Sequence, residues 1–61
     1  MISIRKNPNF VQFYQVFVYG KFVDELYTQA EALKVAEDEA KLHKIKKINF
    51  LGNILDIRPK I

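Results

Sequence analysis

FVQFYQVFVYGKFVDELYTQAEA, residues Phe10 to Ala32, decides the fold. Phe10 to Tyr19 is dominated by Val, Phe and Tyr, side chains that suit a pleated surface. Tyr19-Gly20-Lys21 supplies a tight reversal, and Phe22 to Tyr27 reads as the return strand of a hairpin. Thr28-Gln29-Ala30-Glu31 then has the form of a capping box. In that motif the Thr28 hydroxyl accepts from the backbone N–H near Glu31, and the Glu31 carboxylate reaches back to the Thr28 N–H. The stretch therefore predicts a strand, a turn, a strand and the start of a helix.

The helix extends from residue 29 to about residue 44, through good helix formers with no Gly or Pro. Glu31 lies in the first turn and Lys41 and Lys44 near the end, the polarity that the helix dipole favours. At 100° per residue, Ala32, Leu33, Ala36, Ala40 and His43 share one arc, and Val35 and Leu42 form a smaller apolar edge beside it. Glu31, Lys34, Asp38 and Lys41 fall on the opposite side. An alanine-lined arc lets a helix sit close to a sheet.

On the N-terminal side, Asn7-Pro8-Asn9 is a turn signal that closes a short strand at Ile2–Arg5, or else leaves residues 1–9 as a loose segment. On the C-terminal side, Ile45 to Phe50 returns to a β-like pattern, Leu51-Gly52-Asn53 forms a turn and Ile54 to Ile57 a last short strand. Arg58-Pro59 ends it, since proline cannot continue a central ladder. The expected fold is α+β: a small antiparallel sheet, in the order β-hairpin, helix, β-hairpin, with one helix packed on one face. Residues 1–61 read as a single domain without linkers or repeats.

A chain of 61 residues hides a smaller share of its surface than a larger domain does, and such scaffolds often rely on disulfides, metals or oligomerisation. Here there is no cysteine and one histidine, which excludes a disulfide framework and an ordinary zinc site. The core is either efficient by itself or completed by another chain. With 49% hydrophobic and 28% charged residues the composition is globular. No apolar run is long enough to span a membrane and no signal-peptide cleavage region follows one, so the expected location is cytoplasmic.

Both alternating sets of the first hairpin strand are apolar: Phe10, Tyr14, Val16 and Val18 on one, Val11, Phe13, Phe17 and Tyr19 on the other. One helix cannot cover both faces. With Tyr27 assigned to the helix side beside Tyr14 and Val16, the outer face is expected to carry Phe13, Phe17, Tyr19, Phe22 and Leu26. The terminal segments could fold over it, but large exposed apolar patches mark interaction sites. A homodimer, or docking on and inhibition of a larger protein, is the expected use.

Catalytic candidates are few. Ser3 is the only serine; Thr28, the only threonine, is occupied as a cap. His43 at the helix end reads as a packed or dipole-stabilised residue. Glu37, Asp38 and Glu39 are consecutive on a helix and point in different directions. The expectation is a non-enzymatic protein with no cofactor, no metal and no small-molecule substrate. The net charge of +3 permits nucleic-acid binding, for which Lys44, Lys46, Lys47 and Arg58 would supply phosphate contacts. Against that use, the outer face offers Phe, Leu and Gln where base reading needs Arg and Lys.

The aromatic-x-Val strand Tyr14-Gln15-Val16, the helix start Thr28-Gln29-Ala30-Glu31-Ala32 and the final turn Leu51-Gly52-Asn53-Ile54 resemble a family of small bacterial and phage domains of unknown function. The resemblance covers roughly residues 12–57 and rests on structural motifs; it implies the hairpin–helix–hairpin fold, and a phage or mobile-element accessory protein as the setting. A looser likeness, from Leu26-Tyr27-Thr28 to Asn49-Phe50, is to Apetala-type DNA-binding domains. That family reads DNA with arginines and tryptophans on its sheet, and this hairpin has neither.

Overall fold

The computed structural model describes residues 1–56. Five strands and one helix follow in the order β1 (Ile2–Lys6), β2 (Tyr14–Val18), β3 (Lys21–Leu26), α1 (Gln29–His43), β4 (Lys47–Phe50) and β5 (Asn53–Asp56). The fold is α+β, with one helix packed against one face of a five-stranded sheet ordered β3-β2-β1-β4-β5. The expected stop at Arg58-Pro59 lies outside the described residues.

Both tight hairpins form where glycine allows them. Tyr19 and Gly20 join β2 to β3 with φ of 50° and 80°, and Leu51 and Gly52 join β4 to β5 with φ of 51° and 92°. Positive φ at both central positions is the type I′ signature, whose twist matches that of the paired strands. Only the second central position holds glycine in each loop, so Tyr19 and Leu51 carry the strain of the left-handed region.

The sheet is mixed, whereas the sequence reading expected all neighbours antiparallel. β1 is antiparallel to β2 but parallel to β4, with Ile2 opposite Ile48 and Ile4 opposite Phe50. The cause is the helix. A helical return after β3 reverses the chain once and the entry into β4 reverses it again, so β4 runs with β3 and β1. The residue 1–9 segment thus contains the middle strand of the sheet.

The first hairpin strand is also shorter than its composition suggests. Asn7 Oδ1 accepts from the N–H groups of Asn9 (2.8 Å) and Phe10 (3.1 Å), and the Phe13 N–H donates to the Phe10 carbonyl (2.9 Å). These bonds hold Phe10–Phe13 in a turn, because a local side-chain acceptor competes with the ladder for backbone donors.

The core lies between sheet and helix. Ile2, Ile4, Val16, Val18 and Ile48 are buried from the sheet side, and Ala32, Ala36 and Ala40 from the helix. Alanines four residues apart form one smooth stripe, which brings the helix axis close to the aliphatic floor. Tyr14, Leu26, Leu33, Val35, Ile45 and Phe50 pack around the rim. His43 and Leu42, expected near this stripe, are exposed.

The helix begins as its sequence implies. The Glu31 N–H donates to Thr28 Oγ1 (3.2 Å), while the reciprocal bond runs from the Thr28 hydroxyl to Glu31 Oε1 (3.0 Å) instead of from the Thr28 N–H. At the far end Lys44 takes the left-handed conformation, φ 56°, and its N–H and that of Ile45 turn back to the Ala40 carbonyl.

Candidate interaction surface

The face of the sheet opposite the helix is laid out by strand register. One row across it reads Phe22, Phe17, Ser3, Asn49 and Ile54, each opposite the next on β3, β2, β1, β4 and β5. The adjacent row reads Glu25, Gln15 and Arg5. Among the described residues no helix covers this face. Phe22 is 56% exposed and Ile54 54% exposed.

Phe17 and Phe22 form an edge-to-face pair with centroids 5.7 Å apart. The Arg5 guanidinium lies over the Phe17 ring, 4.2 Å from its centroid, a cation–π contact at the surface. Glu25 Oε2 accepts from Asn7 Nδ2 (2.8 Å) and Gln15 Nε2 (3.1 Å), so its carboxylate is fixed at the end of the row. Between the aromatic ridge and Asn49 the small side chain of Ser3 leaves an open depression of about 640 Å³, lined also by Arg5, Leu51 and Gly52. The Asn49 side chain is turned to the β4–β5 turn, its Oδ1 accepting from the Gly52 N–H at 2.8 Å.

Of the five residues expected on this face, Phe17 and Phe22 stand together on β2 and β3, toward one edge of it. Leu26 does not: it pairs with Tyr14 and packs against the core on the helix side. The reason is a β-bulge. Val16 faces Asp24 and Phe17 faces Phe22, so Val23 is the extra residue, and every side chain beyond it changes face relative to simple alternation. Tyr19 sits at the hairpin tip with its ring edge-on to His43 (centroids 5.9 Å apart), and His43 Nε2 is 3.7 Å from Glu39 Oε1. Phe13 belongs to a separate cluster with Phe10 and Tyr27, at centroid distances of 6.4 and 5.4 Å. Tyr27, expected to face the helix, is 65% exposed there instead, because it follows the bulge and leaves the strand.

Sequence reading missed Ser3, Arg5, Gln15 and Glu25 as members of this surface. Part of the signal was available: Ile2 and Ile4 alternate with Ser3 and Arg5, the half-buried strand pattern. Among the alternative residues, Lys44 caps the helix, Lys46 is exposed in the following loop and Lys47 opens β4 opposite Asp56. Arg58 lies outside the described residues. Among the described residues no three His, Asp or Glu side chains converge as a metal site would require, and no helix is long and apolar enough to cross a membrane. No family model matches the chain, and no curated protein or solved structure gives a significant match.

Proposed function

We propose that this chain is a small non-enzymatic protein-interaction module that binds through the open face of its sheet, either to a second copy or to a larger protein. The observation that carries this reading is the Phe17–Phe22 pair, held on the face the helix leaves uncovered. Two aromatic rings side by side, flanked by Arg5 and with a depression beside them, are the anchor type that dominates protein interfaces. Sedimentation of the native chain and of the Phe17→Gln, Phe22→Gln double variant tests it. Association should be lost in the variant while the helical circular dichroism is retained. Undiminished association by the variant would place the binding surface elsewhere.

Nucleic-acid binding is the second reading, supported by the exposed Lys44, Lys46 and Lys47 in one short segment after the helix. It requires an affinity that falls steeply with salt and with substitution of those lysines. A flat salt response would exclude it.

A further inference from the structure

We infer that the open face is occupied by a second copy of this chain, stacked sheet to sheet about a two-fold axis that runs along β2. The inference rests on the open-face reading above and adds a partner and a geometry. β2 lies between β3 and β1, and both flanking strands carry residues in the same rows. A two-fold along β2 therefore sets β1 of one copy against β3 of the other.

The pairing that results is complementary in charge and in shape. In one row Arg5 faces Glu25 of the second copy, twice over by symmetry. Within a single chain the two are kept apart by Gln15, two strand spacings or about 10 Å, and no ion pair joins them. In the next row Ser3 faces Phe22 of the second copy, so the exposed ring enters the depression left by the smallest side chain on the face. Phe17 lies on the axis and meets its own counterpart. An axis along β1 fails this test, because it brings Arg5 against Arg5. Sheets stacked face to face sit about 10 Å apart with strands roughly aligned, a spacing that side chains of this size fill.

Three strands overlap, a width of only about 15 Å. That is small beside the roughly 800 Å² per partner of a standard interface, so the dimer is expected to be weak and concentration-dependent.

The test is sedimentation over a wide concentration range for the native chain, Arg5→Glu, Glu25→Arg and an equimolar mixture of the two variants. The native chain should dimerise. Each variant alone faces like charges at both contacts and should associate at least about tenfold more weakly. In the mixture both contacts again join opposite signs, so a mixed dimer should form at near-native strength. That rescue also separates a charge contact from damage to the fold. A native chain that stays monomeric throughout overturns the second copy as occupant. A native dimer unaffected by either charge reversal, but dissolved by Phe17→Gln with Phe22→Gln, overturns this axis and leaves the open-face reading standing. Persistence of the dimer in all variants overturns both.

Discussion

The two faces of this sheet alternate residue by residue along β1, yet they obey different rules. Ile2 and Ile4 point to the helix and are fully buried, whereas Ser3 and Arg5 point to the open side. Across the helix face the neighbours are aliphatic, and the helix answers with alanines. Across the open face the neighbours are aromatic, amide and charged, joined by edge-on and cation–π contacts that tolerate water on one side. A buried face needs volume to be matched; an open one needs geometry to be held. Substitution should therefore cost the fold little on the open side and a great deal on the helix side.

The contrast is strongest at Ile4. Replacing it by Ala should cost about 2–5 kcal/mol, as for other large aliphatic core residues, which is a large part of what a small domain has. A denaturant melt should show a lower midpoint or an unfolded chain. A native-like midpoint would mean that the alanine stripe settles into the gap. Ala36→Leu probes the same contact from the helix side, and overpacking there should cost about 1–3 kcal/mol. If it stabilised the protein instead, the helix would sit less closely than the burial of Ala36 implies. Phe22→Ser on the open face should change stability by no more than about 1 kcal/mol in thermal unfolding, despite removing the larger side chain. A loss equal to that of Ile4→Ala would erase the distinction between the faces. The smallest effect is expected for deletion of Val23. Removing the extra residue leaves Phe22 opposite Phe17 and Asp24 opposite Val16, so the nuclear magnetic resonance contacts of Leu26 with Tyr14 should survive. Transfer of Leu26 to the open face in that variant would show that the bulge is not what sets its direction.

Legibility in the sequence divides along similar lines. The Tyr19-Gly20 and Leu51-Gly52 loops, the Thr28–Glu31 cap and the alanine stripe are decided within a few residues, and each is found where its local chemistry puts it. The central position of β1 and its parallel neighbour are decided by which strand the helix delivers, and no local pattern around Ile2–Lys6 encodes that choice. The bulge at Val23 is intermediate. Nothing in Lys21–Leu26 marks an extra residue, and counting by twos across it assigns Leu26 to the open face and so overstates the apolar patch there. Phe17 and Phe22 share one register row because both lie on the turn side of the bulge, where alternation still holds.

The pairing of β1 with β4 also governs the order in which the molecule can assemble. It joins residue 2 to residue 48, and the loop that must close for it contains the whole β2–β3 hairpin and the helix. Closing a long loop is entropically slow, whereas the hairpin and the helix are made from near neighbours. Until β4 arrives, β1 is an edge strand with half its backbone groups unpaired and two isoleucines on its inner side. A nascent chain ending before residue 47 would carry that sticky edge into solution, open to strand exchange with any neighbour in the same state.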